Sequence, residues 1–475
     1  MKSLVSILSL GLLLIRSHVS AAPQGSPSSS TSDLAAPVST DGINESFNET
    51  AFAAFEVEDP SLDAPQPTLR RMKRKYQRYI VRTLRKRPRS HSCTLRNLAV
   101  RKEWGSMSRR QRIAYTDAVK CLYSKKPPLS SLSNVPGARN RLDDFVASHI
   151  QQGQNIHFDG YLFAWHRHFV HLYEKALREE CGYRGPTPYW DWTLSADDPR
   201  KSPVFDGSAT SMSGNGESIP HGGTYVTAFG LNVTLPPGTG GGCVKDGPFA
   251  GLQVNLGVNP TVLPAEPVDL TSNLTSVGVY ASADRSDVLG DNASNSSTSS
   301  TSSNARLAPV ASNDLPPAVR EALNYNPRCL TRDINLFWAN QVRTKDVEFL
   351  LGCGNVDCLE KRSDGWELDR TLPQPLLHAA GHFAIGGLQN DPFASPSDPV
   401  FYLHHAAFDR VYSIWQGQDG DTRTYQVGGT RTPFNIPPSD KVTLDDNIDF
   451  GVLAQGVKMR DVMSTIDGPY CYMYD

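Results

Sequence analysis

Six histidines fall into two triplets, and no feature of the chain limits its possible folds more. His149, His157 and His166 lie in SHIQQGQNIHFDGYLFAWHRHF; His378, His382 and His405 lie in HAAGH and the following DPVFYLHHAAFDR. The chain has 12 histidines, and nine of them sit within positions 149–171 and 378–405, so chance clustering is a poor explanation. A lone histidine in an apolar stretch is more often a satisfied core residue than a ligand. Two sets of three reverse that. Neutral imidazole suits copper, zinc, iron or nickel. With three nitrogens per set and no Cys or carboxylate at the ligand spacings, copper is the favoured ion.

The spacings dictate local structure. His378 and His382 stand at i and i+4, which puts both rings on one face of a helix. HAAGH lacks the glutamate of the HExxH zinc-protease signature. His157 and His166 are nine apart, on opposite sides of a continuous helix at 3.6 residues per turn. They meet one ion only if the chain breaks between them, and Asp159-Gly160 offers the break. His166 then opens a helix through WHRHFVHLYEKALREECG, with Phe169, Leu172, Tyr173, Ala176 and Leu177 as its apolar stripe and Gly182 as its stop. His168 and His171 do not share a face with His166 and read as bystanders. Of the adjacent His404 and His405, His405 is chosen. It shares a face with Asp409 at i+4, so that carboxylate is expected to orient a ring at the metal or at a neighbouring ligand.

The chain resembles the tyrosinase, catechol oxidase and hemocyanin group of binuclear (type 3) copper proteins, and within it the short secreted fungal catechol oxidases. The segments that carry the resemblance are DDFVASHIQQGQNIHFDGYLFAWHRHFVHLYEKALREECGY, PYWDW, SGNGE, GGGCVKDGPF, HAAGHFAIGG, FASPSDPVFYLHHAAFDRVYSIWQ and DVMSTIDGPYCYMY, spread over about residues 93–475. The resemblance implies a mainly α fold: a four-helix bundle around a dicopper site, with long irregular loops and few short strands. It implies two copper ions per chain, CuA on His149, His157 and His166 and CuB on His378, His382 and His405. It also implies oxidation of small phenols by O2. Phe401 is expected to pack over the ligands, and Phe393 to cover the CuB side as a gate.

Departures from the family pattern refine the expected activity. Some relatives carry a Cys two residues before the second CuA histidine and form a thioether with it; here that residue is Asn155, so no crosslink is expected. Strong monophenolases of the group can place an Asn after the first CuB histidine to help deprotonate phenol; here it is Ala379. A carboxylate upstream often fixes a helper water, and Gln374 occupies that neighbourhood, with Glu367 and Asp369 further back. Diphenol oxidation is therefore expected to exceed monophenol hydroxylation. The alternative is a tailoring oxidase of one secondary-metabolite phenol or o-aminophenol. An oxygen carrier is disfavoured, since DGPYCYMYD is followed by no shielding domain.

The remaining features describe a secreted protein. Met1–Ala21 has Lys2, an apolar run and Val19-Ser20-Ala21 as a cleavage site, the pattern of a signal peptide. Eight Cys form an even set suited to disulfides. Sequons stand at Asn44, Asn48, Asn232, Asn273, Asn292 and Asn295. No later stretch is apolar enough to span a membrane. Residues 22–89 are expected to be a structureless propeptide ending in a basic processing region, with 11 Lys and Arg between positions 70 and 89. Its periodicity at Tyr76, Ile80 and Leu84 also allows an amphipathic helix. Residues 90–475 hold 34 Lys and Arg against 41 Asp and Glu. A net charge of about −7 argues against nucleic acid or another polyanion as partner. Residues 90–475 read as one catalytic domain, with 205–325 as a loop-rich insertion containing a Ser-rich low-complexity tract.

Overall fold

The computed structural model describes residues 68–475, apart from 128, 131–134, 230, 259–260, 264–314 and 365–375. The signal segment, most of the expected propeptide, the low-complexity tract and Gln374, Glu367 and Asp369 lie outside the described residues.

Helices build the framework. In chain order they are α1 Thr68–Arg85, α2 Arg109–Ser124, α3 Arg141–Gln152, α4 Leu162–Cys181, α5 Thr344–Leu351, α6 Val356–Asp364, α7 Leu377–Ile385 and α8 Val400–Gln416. Local chemistry fixes their ends. Ser108 with Gln111 closes a capping box on α2, and Asn140 with Asp143 does so on α3, satisfying backbone N–H groups that have no partner inside the helix. Gly182 ends α4 at φ 69°, with its N–H on Leu177 O. It is the stop expected from the sequence, in the backbone region glycine enters without strain.

The four longest-buried pieces, α3, α4, α7 and α8, surround the histidines. Every residue of α8 is buried, including Asp409 and Arg410, which are paired with Arg167 and Asp191. It packs on α4, α1 and α7. Two short strands, β1 Ala99–Arg101 and β4 Tyr472–Tyr474, pair in parallel beside α1 and α8. Between them in sequence comes a hairpin of β2 Thr224–Ala228 and β3 Leu231–Leu235. Disulfides join Cys93 to Cys471, Cys121 to Cys181, Cys243 to Cys329 and Cys353 to Cys358. The second ties α2 to the end of α4. The pairing was not readable from spacing.

A buried ionic knot holds α4, α8 and the parallel pair together. Asp409 Oδ1 accepts from Arg167 Nε at 2.6 Å, and its Oδ2 accepts from the hydroxyls of Tyr472 and Tyr474, each at 2.6 Å. Arg101 donates to Glu174 at 3.0 Å and approaches Asp409 at 3.5 Å. Burial opposes the Glu174 charge, but Arg101 and Arg178 hold its carboxyl down at about 2.

Two expectations need correction. The basic stretch from Thr68 is not structureless: α1 buries Tyr76, Ile80, Val81 and Leu84 against the domain. The amphipathic period that was readable in sequence wins, because those side chains find a ready apolar surface. The second is the loop-rich insertion, in which the structure builds the β2–β3 hairpin with Phe229 5.6 Å from the His157 ring.

Candidate metal centre

Each histidine is delivered by an element whose geometry follows from its spacing. His149 lies in the last turn of α3, His166 in the second turn of α4, and His378 and His382 on one face of α7. His157 sits in the irregular link between α3 and α4, after the turn Gly153–Asn155. The chain break expected at Asp159-Gly160 is there, with Asp159 Oδ1 accepting the Tyr161 N–H at 2.9 Å. His404 and His405 are consecutive on α8.

The rings gather into two sets. The ligand atoms of His149, His157 and His166 lie within 4.8 Å of one another, and so do those of His378, His382, His404 and His405. His382 Nε2 stands 3.3 Å from His378 Nε2 and 3.1 Å from His405 Nε2. Imidazole nitrogens on a tetrahedral ion at about 2.0–2.1 Å stand roughly 3.3 Å apart, so these three atoms already have a metal site's spacing. The two sets face each other. His405 stacks on His166 at 4.2 Å between centroids, and His157 lies parallel to His378 at 6.0 Å. His404 lies in the same set: its ring is 4.2 Å from His382 and 5.7 Å from His378, with Trp192 at 5.3 Å on another side, and it presses on Gly381, where any Cβ would clash.

Five rings are held by their Nδ1 atoms, which leaves Nε2 to the centre. His149 donates to Phe393 O at 2.7 Å, His157 to Gly153 O at 2.9 Å and His166 to Leu162 O at 2.8 Å. His378 donates to Asp364 Oδ1 at 2.7 Å and His382 to Gln389 Oε1 at 2.8 Å. Such partners fix the tautomer and aim the other nitrogen at a metal. His149 Nε2 and His166 Nε2 are buried with no hydrogen-bond partner, a costly state that an ion would relieve. Burial, then the facing His378, lowers His157 to about 4. Burial first, then neighbouring imidazoles, drives His149, His166, His382 and His405 well down. Metal ligands must be neutral, and this centre keeps them so.

The other expected site residues fall in different places. Phe401 packs over the ligands, 4.1 Å from His405 and 5.3 Å from His149. Asp409 touches no histidine: Arg167, Tyr472 and Tyr474 take its oxygens, because two buried guanidiniums need a counterion more than a neutral ring does. Phe393 is not on the CuB side. Its carbonyl holds His149 and its half-buried ring lies against Gly153 and Phe229. His168 donates to or accepts from the Tyr470 hydroxyl at 2.7 Å, away from the centre. Sequence reasoning missed Asp364, Gln389 and Phe229. Asp364 ends a separate helix 14 residues before His378, and no local signal marks it.

A family model described as the common central domain of tyrosinase matches residues 139–418, which include all six histidines. The chain belongs to the tyrosinase family. It is 35% identical over 385 residues to tyrosinase P of Aspergillus terreus, covering 79% of this chain and 91% of that protein. It is 34% identical over 400 residues to N-acetyl-6-hydroxytryptophan oxidase ivoB of Emericella nidulans, covering 81% and 94%. Among solved structures it is similar to a polyphenol oxidase from Thermothelomyces thermophila, at 37% identity and TM-score 0.67, covering 86% of this chain and 97% of that one. The family uses a binuclear copper site and acts on phenols with O2, and the two histidine clusters could hold the two ions.

Proposed function

We propose that this copper oxidoreductase is a secreted catechol oxidase, converting o-diphenols to o-quinones and acting weakly on monophenols. The observation that carries it is the pair of buried, facing imidazole sets with their Nε2 atoms turned inward. In this reading His149, His157 and His166 hold one copper and His378, His382 and His405 the other. When bound, the two ions supply the electron transfer: two diphenols each lose two electrons and two protons, and one O2 takes up four of each to give two waters. The chain does the rest. Gly153, Leu162, Phe393, Asp364 and Gln389 fix the rings, and Phe401 walls off water above them, since a dry site protects reactive species and sharpens electrostatics. Ala379 follows His378 with no side-chain amide to assist phenol deprotonation, which favours substrates that give up a proton more readily. The four disulfides, and the signal-like Met1–Ala21, support secretion.

A second reading, a tailoring phenol or o-aminophenol oxidase, draws support from the relative named for N-acetyl-6-hydroxytryptophan. Oxygen uptake with 4-tert-butylcatechol, 4-tert-butylphenol and o-aminophenol on one preparation separates them. The catechol is expected to turn over at least about a hundredfold faster than the phenol, the order of effect one general base contributes at minimum. Equal or faster turnover of the phenol contradicts the first reading, and preference for the aminophenol establishes the second.

A further inference from the structure

Three phenylalanines occupy the left-handed backbone region, and their rings run in a row from His157: Phe229 against the imidazole, then Phe158, then Phe434. Phe158 has φ 57°, Phe229 φ 56° and Phe434 φ 54°. A bulky side chain at positive φ is a true outlier, because its Cβ crowds the following carbonyl. Phe229 is the sharpest case. Ala228 and Leu231 are directly paired, so Phe229 opens a two-residue hairpin loop, where Asn or Gly normally supplies the positive φ.

The three residues come from distant segments. Phe158 follows His157, Phe229 tips the β2–β3 hairpin, and Phe434 lies in the turn Pro433–Asn435. Phe434 N–H donates to Phe158 O at 2.9 Å, and the two rings stack at 4.5 Å. Phe229 meets Phe158 edge-on at 5.0 Å and lies 5.6 Å from the His157 ring. All three remain half-buried, whereas the phenylalanines of the core, such as Phe145 and Phe169, are closed off. Three breaches of local preference converging on one half-open spot beside the metal centre mark a functional constraint. Ring faces and an edge presented together suit another aromatic ring, through offset-stacked and edge-to-face contact.

We propose that Phe158, Phe229 and Phe434 form an aromatic subsite for a second ring of the substrate, so that the enzyme favours phenols bearing a further aryl group. This rests on the dicopper oxidase reading above. The competing role is a clasp that only holds three loops together.

The test compares oxygen uptake with 4-benzylcatechol and 4-methylcatechol, in the wild type and in Phe229→Asn and Phe434→Asn. Asn tolerates the left-handed region, so each change removes the ring and keeps the turn. In the wild type the ratio of kcat/KM, benzyl over methyl, exceeds one. It falls by about tenfold in each variant, mostly through KM, as loss of an aromatic contact implies. The Phe229→Asn melting temperature does not fall, because Asn suits that turn better. An unchanged ratio, or a wild-type preference for the methyl compound, overturns the subsite. A clasp lowers melting temperature and both activities alike, which also overturns it. Failure of the wild type to oxidise either catechol sinks the dicopper reading and the subsite with it, an outcome distinct from normal oxidation with an unchanged ratio.

Discussion

Asp409 shows how a correct sequence rule leads to the wrong partner. It shares a helix face with His405, as i and i+4 require, yet its oxygens meet Arg167, Tyr472 and Tyr474. Arg167 neighbours His166, so this contact fixes α4 against α8 and sets the distance between the two histidine sets without touching a ring. Asp409→Ala leaves the buried Arg167 guanidinium without its carboxylate, while Arg101 keeps Glu174, and is expected to cost about 3–5 kcal/mol of stability. Chemical denaturation measures it, and the folded fraction keeps its copper. Loss of copper at unchanged stability would put Asp409 back at the metal. Of the proposed ligands, His378 and His382 were legible as a pair because i and i+4 is a helical spacing. The supports of the others were not: His149, His157 and His166 rest on the carbonyls of Phe393, Gly153 and Leu162, and every residue has a carbonyl.

At the scale of elements, α1 carries the clearest lesson. Its period at Tyr76, Ile80 and Leu84 was readable, but its docking surface, 300 to 400 residues away in sequence, was not. Tyr76 OH accepts the Tyr474 N–H at 3.2 Å, Gln77 donates to Tyr474 O at 3.3 Å, and Arg87 reaches Asp467 at 2.7 Å. Within the window between Lys75 and Cys93 that the basic run suggests for processing, a start beyond Gln77 would cut into these contacts, and even a start at Lys75 would remove the first turns of α1 with the Leu69 N–H bond to Glu348 at 2.8 Å. We expect the secreted form to begin before Thr68 instead. N-terminal sequencing checks this, and a start at Lys75 or beyond refutes it. A chain beginning at Cys93 should lose several kcal/mol in denaturation relative to one beginning at Thr68, since each buried apolar side chain of α1 is worth about 1.5–3 kcal/mol. The β2–β3 hairpin escaped notice for a related reason. Phe229 stands at a position where Gly or Asn would have announced the turn.

For the whole molecule, the mainly α fold class came from the resemblance that the two histidine segments carry; the spacings themselves required only a helix under His378 and His382 and a break between His157 and His166. The activity is finer-grained than the fold: tyrosinase P, ivoB and a polyphenol oxidase are all similar to this one chain. In the readings proposed above, substrate choice rests on side chains around the centre, Ala379 and the three left-handed phenylalanines among them. The central claim, that six histidines of this chain hold two coppers, is tested most directly by counting metal per chain in active protein, for the wild type and for His404→Ala and His405→Ala. Two coppers are expected in the wild type and in His404→Ala, and a loss of about one copper, with all oxidase activity, in His405→Ala. Fully active wild-type protein holding a single copper, or zinc at full occupancy, would contradict it, as would a His405→Ala variant that keeps both coppers.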